Sequence, residues 1–173
     1  MSDSATVSIP AVGTYRLDPS GSTVTFTTRH MFGLASVKGS FTLASGEVTI
    51  AEPVSSSTAS AVIDAASFAT PNATRDKDVK SANFLHVEAH PHITFDSTEV
   101  VGDGTVWKLR GQITVRGNTA PVELTVIEAR TDEAGLLLRA TGRVDRYAHD
   151  ITKKKGMAGR YLDLDITARA SRT

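Results

Sequence analysis

Three imidazoles fall within seven residues, His86, His90 and His92, inside the stretch TRDKDVKSANFLHVEAHPHITF that runs from Thr74 to Phe95. Their residue type would suit zinc, which takes imidazole ligands in tetrahedral sites. The pattern argues otherwise. The His90-Pro91-His92 link is stiff, and no carboxylate in the segment completes a coordination shell, so these histidines read as surface or loop-packing groups and no metal is expected. His30 closes an apolar strand face, where an imidazole meets either a ligand's polar head or a backbone partner. Arg75 and Asp76 stand at a helix start, where they bond backbone or each other. Lys153, Lys154 and Lys155, with Arg146 and Arg160 near them, form a cationic loop. Such a loop is either solvated or attracted to anionic lipid heads in a transient contact with a membrane surface.

Nothing in the chain asks for catalysis. It has no G-x-S-x-G elbow, no H-E-x-x-H, no phosphate-binding loop and no dinucleotide fingerprint. The expectation is a protein that is not an enzyme, with no catalytic residues and no cofactor. The chain has no cysteine, which excludes disulfides, thiolate metal sites and cysteine nucleophiles. Lys+Arg and Asp+Glu both number 19, and this neutrality argues against nucleic-acid binding. The opening MSDSATVSIPAV lacks a basic segment followed by an apolar one, and no apolar run is long enough to span a membrane. A cytoplasmic protein is expected. Its oligomeric state is open, and a homodimer is compatible with the sequence.

The elements that must position these residues are strands. In STVTFTTRH, Val24, Phe26, Thr28 and His30 share one face. Val37, Gly39, Phe41 and Leu43 repeat the alternation, as do Ala59, Ala61 and Ile63. It continues through Ile93 and Phe95, then Trp107, Leu109, Ile113 and Val115, then Leu136, Leu138 and Ala140. RYLDLDITARA is the clearest case, with Leu162, Leu164, Ile166 and Ala168 on one face. A period of two with threonine and β-branched residues is the signature of half-buried strands. ASGE, GDGT, VRGN and DEAG read as hairpin turns. Residues 1–13 read as a flexible tail and 14–173 as one domain.

Consecutive hairpins of this length give an antiparallel meander. It either closes into a barrel of about eight strands, wide enough for one small ligand, or stacks as a two-sheet sandwich. Between the hairpins lies one short amphipathic helix, capped by Asn72 or Thr74, with Val79, Ala82 and Leu85 on one side and Asp76 spaced to pair with Lys80. It is placed to cover one barrel end, with Phe84 and Leu85 turned inward as part of a lid or as core padding.

The same segment carries a family resemblance. Arg75, Asp76, Ser81, Phe84, Leu85, Pro91, Phe95 and Ser97 match the R-D-x-x-(L/V)-(K/R)-S-x-(D/N)-F-L … P … F-x-S signature of the YceI-like polyisoprenoid-binding family. Tyr15, Asp18, Ser22, Val24, Phe26 and His30 resemble its opening, and GSFTLASGEVTI and GQITVRGNTAPVEL resemble two later motifs. One departure is RVDRYAHDI, where Ala148 and His149 stand in a run in which the family commonly has glycine.

The resemblance implies an all-β fold: a lipocalin-like, extended, antiparallel up-and-down barrel capped by one short helix. It implies an apolar interior that binds, sequesters or carries an isoprenoid or another long-chain amphiphilic lipid, of polyprenyl or quinone type. The expected ligand-binding residues are Val24, Phe26, His30, Phe41, Ile63, Phe84, Leu85, Phe95, Leu109, Leu138 and Leu164. Two other readings stay open: a β-sandwich interaction module with a protein partner and no cavity, and a small-molecule enzyme on a barrel.

Overall fold

A computed structural model describes residues 8–31, 33–102 and 106–173. Nine strands alternate along the chain: β1 (Gly13–Leu17), β2 (Thr23–His30), β3 (Ala35–Ile50), β4 (Thr58–Ala69), β5 (His92–Gly102), β6 (Trp107–Val115), β7 (Asn118–Asp132), β8 (Gly135–Asp145) and β9 (Tyr161–Arg172). Each pairs antiparallel with its neighbour in a meander from β2 to β9. The sheet then closes on itself, because β9 pairs with β2 and β3 pairs with both β2 and β4. Closure excludes the two-sheet sandwich, which would leave free edges.

The barrel has eight strand positions, since β1 and β2 occupy one of them in turn. β1 pairs with the far ends of β3 and β9, and β2 pairs with their near halves. Asp18 makes the jog between the two strands. Its carboxylate accepts from the Ser20 amide at 3.1 Å and hydroxyl at 2.8 Å, and this lowers its pKa. Ser22 closes the jog by accepting from the Arg169 amide at 3.0 Å.

The ASGE hairpin is not formed. Ala35–Ile50 is one strand, with a bulge between Leu43 and Ser45 that shifts the inward face from Leu43 to Val48. Gly46 is there for close approach rather than for a turn. A Cβ on it would fall 2.4 Å from a methyl of Leu17. The VRGN and DEAG turns form as expected. Arg116 and Gly117 have φ of 52° and 74°, the two left-handed residues of a type I′ hairpin. Asp132 pairs with Gly135 around DEAG. GDGT joins the paired Gly102 and Trp107, with residues 103–105 outside the described residues.

Helix α1 (Ala73–Lys80) is capped by Asn72, whose side chain accepts from the Arg75 amide at 3.0 Å. It ends before Ala82 and Leu85, which were expected on its apolar side, and buries no residue of its own. Asp76 does not reach for Lys80. Its carboxylate accepts from the Thr70 amide and, at 2.6 Å, the Thr70 hydroxyl, which fastens the helix to the end of β4. The apolar work falls to the turn after the helix. The Leu85 amide bonds the Val79 carbonyl at 2.8 Å, and Phe84 and Leu85 are buried.

Helix α1, the β2–β3 and β6–β7 turns and the segment between β8 and β9 therefore gather at one barrel end, the helix end. Residues 8–12 cross the opposite end and do not form a loose tail. The Ser8 amide bonds the Ala129 carbonyl at 3.0 Å, the Ala11 amide bonds the Thr131 hydroxyl at 3.0 Å, and Pro10 is buried. Residues 1–7 lie outside the described residues.

Candidate functional site

Inward faces of the strands enclose a cavity of about 220 Å³. Its walls alternate along each strand. β2 gives Val24, β3 Phe41 and Leu43, β4 Ala59, Ala61 and Ile63, and β5 Ile93 and Phe95. β6 to β9 add Leu109, Ile113, Leu124, Leu138, Ala140, Leu162, Leu164 and Ile166. The surface these walls turn to the cavity is apolar, although Ser22, Ser60, Thr167, Arg146 and His149 border it. A second cavity of about 80 Å³ adjoins it toward the opposite end, with Val48, Ala59, Leu109, Val126 and Leu138 shared between the two. Ser8, Ile9 and Pro10 form its outer wall.

The helix end is stoppered. Phe26, Ala65, Phe68, Phe84, Leu85, Ile93, Val115 and Ile151 pack as one cluster there. The Phe26 and Phe68 rings stack at 5.3 Å, and Phe41 meets Phe68 edge-on at 5.5 Å. Such aromatic pairs contribute roughly 0.5–1.5 kcal/mol beyond their burial. Leu85 reaches the cavity itself, while Phe84 lies behind it.

Two buried polar side chains border the cavity at this end, both from the 3₁₀ turn Arg146–His149 after β8. Arg146 is 6% exposed and forms no ion pair among the described residues. Its guanidinium instead donates to the carbonyls of Gly159 at 2.7 Å, Ile151 at 2.8 Å and Ala158 at 3.2 Å, cross-bracing the 150–160 loop. Burial lowers its pKa, yet an arginine stays cationic under such a shift. His149 is 1% exposed, and its Nδ1 lies 2.8 Å from the Asn118 carbonyl. A carbonyl only accepts, so the ring donates to it from Nδ1. Asn118 returns a bond from its amide group to the His149 carbonyl at 2.9 Å, tying the turn to the β6–β7 hairpin. Asp145 caps the turn through the Tyr147 amide at 3.0 Å and holds Arg160 at 2.9–3.0 Å. The Arg160 bonds, more than the backbone bond, lower its pKa.

Of the residues expected at the ligand, Val24, Phe41, Ile63, Leu85, Phe95, Leu109, Leu138 and Leu164 line the cavity. Phe26 and Phe84 do not. Each is inside the barrel, but the aromatic stopper consumes their faces. His30 ends β2 at the barrel tip, paired with Ala35 and outside the cavity. Arg146 does not belong to the solvated loop beside it. Arg146 and His149 escaped the sequence reading because nothing alternates around them. The available signal was Asp145, a capping residue placed where a strand pattern stops. The rings of His86 and His90 meet edge-on at 5.8 Å. No group of three or more His, Cys, Asp and Glu side chains able to hold a metal occurs among the described residues. No helix among them is long and apolar enough to cross a membrane.

Comparison with known proteins agrees with this architecture. A family model described as YceI-like domain matches residues 15–170. A UPF0312 protein of Pectobacterium carotovorum is 32% identical over 166 residues, covering 91% of this chain and 86% of its own. Protein YceI of Escherichia coli O157:H7 is 30% identical over 161 residues, covering 88% and 84%. The crystal structure of BcnA of Burkholderia cenocepacia superposes with a TM-score of 0.77 at 17% identity, over 88% of this chain and 98% of BcnA. A polyisoprenoid binding domain from Saccharophagus degradans superposes at 0.66 with 12% identity, over 94% and 100%.

Proposed function

The chain belongs to the YceI-like family, and from that premise we propose that it binds an isoprenoid-like lipid, without catalysis, by taking the hydrocarbon tail into the barrel. One observation carries this reading: a cavity of about 220 Å³ whose wall offers no polar surface. A ligand's polar head finds no partner along such a wall, whereas each buried methylene gains up to about 0.8 kcal/mol. A five-carbon isoprene unit then gains up to about 4 kcal/mol. Association itself costs roughly 4–15 kcal/mol, and micromolar binding needs about 8 kcal/mol net. On the order of three to six buried units meet both demands. The polyisoprenoid binding domain from Saccharophagus degradans lends the same reading support through its shared fold.

Sequestration or transport of a polyprenyl or quinone-type chain, a transient contact with a membrane surface and a cytoplasmic setting belong to this reading. So does a single domain over 14–173. The test is a chain-length series of prenyl alcohols titrated against the protein. Affinity that climbs with each added isoprene unit and then levels supports an apolar slot of finite length. Affinity independent of chain length overturns it.

A further inference from the structure

We infer that the helix end of the barrel is a docking surface for an anionic lipid bilayer. The inference takes its purpose from the lipid-binding reading, but it stands on residues that do not line the cavity.

Two turns touch at this end. The Met31 amide donates to the Met157 carbonyl at 2.9 Å, and within the β2–β3 turn the Leu34 amide donates to the Met31 carbonyl at 3.2 Å. These bonds bring together Met31, Leu34 and Met157, which are 46%, 86% and 50% exposed. Tyr161 begins β9 close by, 42% exposed, and its carbonyl accepts from the Thr28 hydroxyl at 2.7 Å. Single exposed apolar side chains are ordinary, but a group on two adjoining turns has to be covered by something.

Charge says what covers it. Lys154 is tied to Asp78 at 2.5 Å and Arg160 to Asp145. Arg29, Lys153 and Lys155 are exposed and have no acidic partner among the described residues. The exposed acids here outside ion pairs, Asp150 and Glu88, are outnumbered once Lys77 and Lys80 of α1 are included. The whole chain is neutral, so this positive charge is local. The opposite end also exposes apolar side chains, Ile9 at 62% and Val12 at 54%. There, however, the exposed charges without an opposite partner among the described residues are of both signs, Glu52 and Glu133 together with Arg172, whose guanidinium bonds the Val12 carbonyl. An anionic bilayer is attracted to the helix end, where the cations outnumber the acids, and not to the mixed charges of the second. Apolar side chains entering the headgroup layer, with cations beside them for the phosphates and a tyrosine at that level, are what an interfacial contact needs. Docking in this orientation brings Leu85 and Ile151, which line the cavity, toward the bilayer.

Flotation with phosphatidylcholine vesicles, with and without phosphatidylglycerol, tests the surface. The protein should float with the anionic vesicles, and added salt should release it as screening shortens. Lys153→Ala with Lys155→Ala should lower partitioning roughly 30-fold. Leu34→Asp with Met157→Asp should abolish it, with circular dichroism unchanged because all four sites are exposed. No flotation of the unmodified protein, equal flotation with neutral vesicles, or unchanged flotation of both double variants would overturn the inference. Uptake of a prenyl alcohol added in solution is measured alongside. Uptake without flotation overturns the docking surface alone, and flotation without uptake overturns the lipid-binding reading alone.

Discussion

Phe26 and Leu164 stand directly opposite each other in the β2–β9 ladder, yet only Leu164 faces the cavity. Phe26 turns its ring onto Phe68 and joins the stopper. The same inward face therefore does two jobs, and substitutions should separate them. Phe26→Ala should cost about 3–5 kcal/mol in denaturant unfolding, the range for a buried phenylalanine. Leu164→Arg puts a charge into a wall with no polar partner and should abolish lipid uptake. Retained uptake by folded Leu164→Arg contradicts the assigned wall.

Ala61 and Ala140 face the cavity from β4 and β8. Ala61→Phe fills space instead of overpacking a core, so it should fold normally and stay below the 1–3 kcal/mol cost usual for overpacking. Prenyl alcohol uptake should be lost in the same variant. Unfolding curves and uptake measured together check both halves of this expectation.

Arg146 holds three carbonyls of the 150–160 loop. Arg146→Met strands them in a buried place, and the expected loss is about 2–4 kcal/mol. Lysine should not rescue it, because an ammonium cannot reproduce the planar fork. The released loop carries Lys153, Lys154 and Lys155, so limited trypsin digestion should cut there first. Unchanged trypsin resistance contradicts the brace.

The strap at the opposite end is held by few bonds, from Ser8 and Ala11 to β7 and from the Tyr15 hydroxyl to the Ala11 carbonyl. Removing residues 1–11 uncovers the smaller cavity while leaving every strand pair in place. Lipid exchange should speed up in stopped-flow measurement, with a modest fall in melting temperature. Unchanged exchange would mean that lipid does not pass that end.

Asp145 has a carboxylate pKa below its ordinary value of 3.8, first because Arg160 bonds it and then because the Tyr147 amide does. A depressed folded value means that its contribution to stability is complete above the unfolded value and lost as pH falls through the folded one. Melting temperature should therefore drop on acidification below about pH 4. Asp145→Asn should lower it at neutral pH and flatten part of that acid limb.

The strands were legible in the sequence because the barrel has one apolar face, and a period of two records which face that is. Leu162, Leu164 and Ile166 alternate cleanly and line the cavity as their spacing implies. Three features were hidden. The β3 bulge imitates a hairpin, since Ser45-Gly46 are turn residues used here to admit Leu17. Phe26 and Phe84 were indistinguishable from wall residues, because inward orientation does not say how deep along the axis a ring sits. Arg146 is buried against carbonyls of the irregular loop that follows it and His149 against the Asn118 carbonyl of another hairpin, which local pattern does not encode.

Native mass spectrometry of the protein with excess prenyl alcohol, followed by organic extraction, tests the central claim most directly. The account predicts one bound chain per barrel and none bound to Ala61→Phe. A protein mass that stays free of ligand, or equal occupancy in Ala61→Phe, would contradict it.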